Sequence, residues 1–259
     1  MNIDFADKRL VLTGAAGIFG RRIARYFAQR GARLCLSDRR ADALHSMVAD
    51  LEPDPSRILV HETELTRQAS MDELVAMVAR EWGAPDILVS NAGIYTRFDL
   101  MQMDLSDWDL VMDVNVRAPF YLGREMAKLM IAEGVKGSII DISSGAARQM
   151  NTTGAPYCIS KTAVDRLSKG LALACAQHGI RVNVVEPVFA QGSEVSHLDR
   201  DYVARMLERI PLGRESGPED APAAIAFLCS EAAGFITGAT LSVDGGNSIG
   251  TYQRPRAPE

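Results

Sequence analysis

Short, nearly continuous apolar runs alternate with longer amphipathic stretches along this chain. Residues 9–12, 33–36, 58–61, 86–89, 137–142, 180–187 and 240–243 have the length and content of strands. Strands this uniformly apolar are buried on both faces, and their alternation with helix-length segments is the signature of βαβ units. The pattern predicts an α/β fold: a doubly wound parallel sheet of the Rossmann type, about seven strands with helices on both faces. Helices are expected from the turn at 13–20 to about Gln29, with Gly31 as C-cap, and from about Ser70. Others run from about Ser106 into the Glu125 region, through Tyr157 and Lys161, and over 218–229. Residues 188–214 are polar and irregular, with a short helical stretch around 202–209, and read as a substrate loop. The end, about 247–259, carries Pro255 and Pro258 and reads as a loose tail. With no repeat, linker or second core, residues 1–259 are expected to form one domain.

Composition narrows the function classes. Acidic residues outnumber basic ones, 33 against 28, so the net charge of −5 makes no electrostatic case for nucleic acid. No apolar run approaches the roughly 18 residues of a membrane span. The start, Met1-Asn2-Ile3-Asp4-Phe5, lacks the regions of a signal peptide, which makes a cytoplasmic location the expectation. Cys35, Cys158, Cys175 and Cys229 lack redox or metal spacing and read as reduced thiols, with Cys158 a packing residue. His45, His61, His178 and His197 are equally dispersed, so no metal site is expected.

Candidate chemistry begins at Thr13-Gly14-Ala15-Ala16-Gly17-Ile18-Phe19-Gly20. A glycine-rich turn between strand and helix lets backbone approach a pyrophosphate at the helix N-terminus; the alternative is a plain tight turn. Asp38 follows the second strand, 24 residues after Gly14, near the spacing at which an acid meets an adenosine ribose. A carboxylate there accepts from both ribose hydroxyls and repels a 2′-phosphate, which favours NAD. Arg39 and Arg40 either attract such a phosphate or face solvent. Ser90-Asn91-Ala92-Gly93 ends the fourth strand with the small residues a cofactor lying across the sheet requires, though an ordinary loop also begins this way. Asn115 lies in an apolar segment and needs partners if buried.

Ser144 stands at the end of the fifth strand, and Tyr157 and Lys161 follow, four residues apart and so on one helix face. A phenol has a pKa of about 10, and bringing it near 7 takes roughly 4 kcal/mol of differential stabilisation. An ammonium at about 5 Å in an effective dielectric near 20 supplies roughly 3 kcal/mol. Such a pair is nearly sufficient to make a tyrosine an acid/base at neutral pH, although the same spacing occurs on ordinary helices.

Taken together, these pieces resemble the compact single-domain branch of the short-chain dehydrogenase/reductase family. TGAAGIFG, SNAG, Asn115, ISS, YCISK, RVNVVEP and the late ITG and VDGG occur in that family's order over about residues 9–246. The 13 residues from Ser144 to Tyr157 also fit. The resemblance implies that Tyr157 exchanges a proton with substrate, while Lys161 lowers the tyrosine pKa and binds the nicotinamide ribose. Ser144 would hold the substrate oxygen, and Asn115 would anchor a water linking Lys161 to solvent. Gly14, Gly17 and Gly20 would line the pyrophosphate, with Asp38 on the adenosine ribose and Asn91 at the cofactor edge. Ile18, Glu64, Leu65, Ala92, Gly93, Pro187, Ala190 and Ser193 complete the expected cofactor set, and a homotetramer is implied.

The chain departs from the family pattern at several points. Gly17 stands one position before the branch's usual middle glycine, Glu64 replaces an aspartate, and Ser90 replaces an asparagine. Val188 follows Pro187 where a glycine is usual, and Gly192 occupies a threonine's place, leaving Ser193 the nearest replacement donor, in a segment 192–197 expected to be mobile without cofactor. The expected function is NAD-dependent interconversion of a secondary alcohol and a ketone. The polar edge formed by Gln149, Asn151, Thr152, Thr153 and Glu186 favours a small sugar- or polyol-like substrate, unless those side chains are simply solvated. The alternatives are a ketoacyl-thioester reductase and a non-catalytic nucleotide-binding regulator.

Overall fold

The alternation of apolar runs and helices is realised as one seven-stranded sheet, all parallel, in the order β3-β2-β1-β4-β5-β6-β7. The structure, a computed structural model, describes residues 3–51, 55–96, 99–190 and 200–252. Its strands are β1 (Arg9–Thr13), β2 (Arg33–Asp38), β3 (Ile58–Glu62), β4 (Ile87–Ser90), β5 (Ser138–Ile142), β6 (Arg181–Pro187) and β7 (Thr240–Val243). Its helices are α1 (Ile18–Ala28), α2 (Ala41–Leu51), α3 (Gln68–Trp82), α4 (Leu105–Met112), α5 (Ala118–Ala132), α6 (Ala155–Cys175), α7 (Arg200–Arg209) and α8 (Asp220–Cys229).

Successive side chains of a strand point to opposite faces, and here each face has its own core. Leu10 and Leu12 of β1 and Ile140 and Ile142 of β5 join Ile23, Phe27 and Ile225 in the α1/α8 layer. Val11 and Ile139 point the other way, into a layer with Leu74, Leu122, Met126 and Leu171 from α3, α5 and α6. The order of strands reverses between β1 and β4, which opens a crevice at their carboxyl ends, where open α/β sheets bind ligands.

Several boundaries differ from those read off the sequence. β1 and β2 run on through polar residues, because Thr13 pairs with Ser37 and Asp38 with Glu62 in register. α2 was not expected. The helix anticipated from Ser106 is broken: α4 passes into a π-helical turn, Asp113–Arg117, before α5. Val188 causes no strain. Asp7 is the only described non-glycine residue with positive φ, and Val188 N–H extends the sheet by donating to Val243 O at 3.2 Å. The start of the supposed loose tail is tied down, since the Asp244 carboxylate accepts from Gly246 N and Ser248 N. Ser193 and the segment 192–197 lie outside the described residues. Among those residues no helix is long and apolar enough to cross a membrane.

Candidate active site

The glycine turn closes on its own backbone. Gly14 has φ +63°, and a Cβ there would lie 2.7 Å from the Ala92 Cα. At Gly20 a Cβ would meet Gly14 O at 2.2 Å and Ala15 O at 2.6 Å. Gly17 is different: its Cβ would touch only Gly14 O, at 3.3 Å, so its bareness leaves a face open to a ligand. Gly17 is also the N-cap of α1 and offers no side-chain cap, while Ile18 begins the helix. The first N–H groups of a helix have no intrahelical acceptor, so this end carries donors and a positive dipole. A bare turn at an uncapped helix N-terminus fits a pyrophosphate.

Neighbouring strands hold that turn in shape. Asn91 Nδ2 donates to Thr13 O and Gly14 O, both at 3.0 Å. Thr13 Oγ1 accepts in return from the N–H groups of Asn91 and Ala92, at 3.1 Å each. Asp38 Oδ2 accepts from Ala16 N at 3.0 Å, while its Oδ1 faces Arg40 Nε at 3.3 Å. Asp38 and Asn91 thus brace the turn directly. Two other expected cofactor residues turn elsewhere. Glu64 Oε1 accepts from the N–H and hydroxyl of Thr66, and the Leu65 side chain is buried in the α3/α5/α6 core. Pro187 ends β6, and Ala190 is buried just beyond it.

Lys161 reaches the end of β5, Ser144 stands two residues beyond that end, and Tyr157 lies beside Lys161 on α6. Lys161 is 4% exposed, its Nζ donates to Ile142 O at 2.7 Å, and it lies 5.7 Å from the centre of the Tyr157 ring. Burial pushes the Lys161 ammonium down to about 8, and the carboxylate of Asp141 pulls it back up. Ser144 Oγ accepts from Ala146 N at 3.2 Å, leaving its own proton for another oxygen. Asn115, fully buried, accepts from Ile94 N at 2.8 Å and donates to Ile94 O and Ser160 Oγ, each at 3.0 Å. The π turn carries Asn115 to that position, consistent with the frequent placement of such turns at functional sites. Its amide pins the loop after β4, and its Oδ1 and Lys161 Nζ both border Gly93, at 3.4 and 3.3 Å from a Cβ built there.

Other side chains here were not read from the sequence. Tyr95 packs edge-on to Tyr157, with ring centroids 4.9 Å apart and planes at 82°. Thr13, Ser160 and Asp141 carry the hydrogen bonds and charge around the named residues. Only their position beside the motifs could have signalled them. The expected polar substrate edge is corrected in part. Glu186 is 1% exposed, and its carboxylate is taken up by Arg148 and by Ser242 Oγ. Asn151 Oδ1 accepts from Thr153 N within its own turn. Cys158 is buried as a packing residue, and among the described residues no three His, Cys, Asp or Glu side chains could hold a metal ion.

Comparison with known proteins agrees with this geometry. The family described as enoyl-(acyl carrier protein) reductase matches residues 14–248. A cis-4-hydroxycyclohexanecarboxylate dehydrogenase from Sinomonas cyclohexanicum is 37% identical over 245 residues, 93% of this chain and 97% of that protein. A 3-oxoacyl-(acyl-carrier-protein) reductase FabG from Thermotoga maritima is 33% identical over 92% of this chain and 97% of its own length. The crystal structure of a gluconate 5-dehydrogenase from Burkholderia cenocepacia, in complex with NADP and tartrate, superposes with a TM-score of 0.89 at 29% identity, covering 96% of this chain and 98% of that one. A parallel sheet with its strand order reversed beside a bare glycine turn, and relatives matched over nearly their whole length, leave one conclusion: the chain belongs to the short-chain dehydrogenase/reductase family of oxidoreductases, which bind a nicotinamide cofactor.

Proposed function

We propose that this protein is an NAD-dependent oxidoreductase that interconverts a secondary alcohol and a ketone on a small hydroxylated substrate. The observation that carries the reading is a buried Lys161 with its Nζ 5.7 Å from the Tyr157 ring centre. An ammonium beside the ring favours the phenolate over the phenol. Tyr157 Oη takes the proton from the substrate hydroxyl in oxidation and returns it in reduction. Ser144 donates to the same substrate oxygen and holds the carbinol carbon in place. The nicotinamide cofactor, when bound, supplies the hydride acceptor or donor. Gly14, Gly17, Ile18 and Gly20 would hold its pyrophosphate, and Asp38 its adenosine ribose. The dehydrogenases of hydroxy acids among the relatives support the substrate class. Incubating the protein with NAD and a panel of secondary alcohols tests the reading, and no appearance of NADH with any of them would reject it. The Thermotoga maritima relative favours a second reading, reduction of a 3-oxoacyl thioester. Faster turnover of an acetoacetyl thioester than of any alcohol on the panel would favour that reading.

The choice of NAD rests on the Asp38 carboxylate at the end of β2. Because that carboxylate also holds Ala16 N–H, Asp38→Asn is the clean substitution, keeping an acceptor while removing the charge. The ratio of kcat/KM for NAD over NADP should fall about tenfold in this variant, equivalent to roughly 1.4 kcal/mol. Equal efficiency with both cofactors in the unmodified protein would refute the assignment.

A homotetramer is the assembly we infer. Phe120 and Ile131 on α5 and Leu173 on α6 are apolar and exposed, Leu173 to 83%, and would be covered by a neighbouring subunit. Light scattering at micromolar concentration should give four times the 28.1 kDa chain mass; a monomeric mass would rule this out.

A further inference from the structure

Behind the catalytic lysine lies a buried acid to which the proposed reaction assigns no step. Asp141 is 0% exposed on the interior strand β5, on the same sheet face as Ile139 and so toward α6. Three consecutive residues, the last two of β5 and Ser143 just beyond it, grip that helix. Ser168 Oγ lies 2.6 Å from Asp141 Oδ2, Lys161 Nζ donates to Ile142 O at 2.7 Å, and Ser143 Oγ donates to Lys161 O at 3.2 Å. Ser168 Oγ also stands 2.8 Å from Val164 O, but it has one proton. Val164 O already accepts the helical bond of residue 168, so that proton is best given to the carboxylate. Ser90, the register partner of Asp141 on β4, faces the same carboxylate with its buried hydroxyl.

A fully buried carboxylate met by neutral hydroxyls needs a compensating charge, and the one acting on it is Lys161. We propose that Asp141 is a positioning residue for the catalytic lysine, keeping Lys161 an ammonium from within the sheet and fixing α6 against β5. The groups facing Lys161 are Tyr157 on its own helix, Asp141 on β5, and the uncharged Asn115 and Gly93. Those facing Asp141 are Ser168 on α6, Ser90 on β4 and Lys161, with Val184 beside it in register on β6. Burial pushes Asp141 up and Lys161 down, and each charge offsets part of the other's displacement. The sign follows. Without the carboxylate, Lys161 loses its proton at lower pH, less of it is cationic at neutrality, and Tyr157 ionises at higher pH.

The inference rests on the alcohol–ketone reading for its kinetic consequence, so its test has a readout that needs no turnover. The chain has five lysines, few enough for ε-13C-lysine resonances to be followed individually by NMR, with Lys161 identified by its loss in Lys161→Met. In the full-length protein the Lys161 midpoint should lie near 8 and fall by at least about half a pH unit in Asp141→Asn. The rising limb of kcat/KM for alcohol oxidation should move to higher pH by a similar amount, with KM for NAD unchanged. A Lys161 midpoint that stays in place or rises would overturn the proposal. Should Asp141→Asn fail to fold, Asp141→Ser also removes the charge, with a smaller side chain. The Lys161 midpoint should again fall, and an unmoved midpoint counts against Asp141. A protein inactive on every alcohol would reject the alcohol–ketone reading alone, because the NMR titration still decides the role of Asp141.

Discussion

Replacing Tyr157 by phenylalanine should lower kcat by about 10²- to 10⁴-fold, the usual contribution of a positioned acid/base. The change removes one hydroxyl and leaves the packing. The ring would still meet Tyr95 edge-on at a centroid distance of 4.9 Å, and Lys161 Nζ would still donate to Ile142 O. NADH affinity, read by fluorescence titration, should therefore change by no more than about twofold, roughly 0.4 kcal/mol. In the unmodified protein, oxidation should rise with pH through an apparent ionisation well below the value of about 10 for a free phenol. Tyr157→Phe should lose that limb. Turnover retained in the variant would assign the proton to another group.

Gly20→Ala should do comparable damage by a wholly different route. The added methyl would sit 2.2 Å from Gly14 O, 2.6 Å from Ala15 O and 2.7 Å from the Ala15 Cα, all backbone atoms of the turn itself. No flexible side chain can swing aside, so α1 must part from the turn or the turn must open. Overpacking commonly costs 1–3 kcal/mol, and three backbone collisions place this case at about 3 kcal/mol or more. For a chain of this size that lowers the melting temperature by roughly 6–12 °C, and NADH binding should weaken with it. Gly170→Ala is the control. It lies in α6 with nothing within 4 Å of its Cβ position, and should gain about 0.5–1 kcal/mol from helix propensity. A Gly20→Ala protein that melts like the parent and binds NADH equally well would show that the turn yields at little cost.

Much of this architecture can be read without coordinates, because the controlling interactions are local. Burial on both faces makes strands apolar throughout, and that alone located seven strands and the layers around them. Lys161 shares a helix face with Tyr157 because they are four residues apart, whatever surrounds them. The bareness of the glycine turn is also local: Gly20 is excluded from having a side chain by Gly14 and Ala15, a few residues away. Where the reading fell short, the deciding contact joins residues distant in the chain. Asn91 and Asp38 brace the same turn from 77 and 22 residues away, which depends on β2 and β4 both flanking β1. The Glu186 side chain, expected at a substrate edge, is taken by Arg148, 38 positions earlier, because β6 lies next to β5. The helix containing Asn115 read as continuous, since its periodicity is nearly intact, but the amide is met by Ile94 and Ser160 and the backbone widens into a π turn there. Asp141 reads as an ordinary polar residue in an apolar strand; only the packing of α6 over β5 places it behind Lys161. Sequence periodicity determines which face of an element is buried, whereas strand order and helix placement determine which buried polar groups meet, and those meetings set the charges in the site.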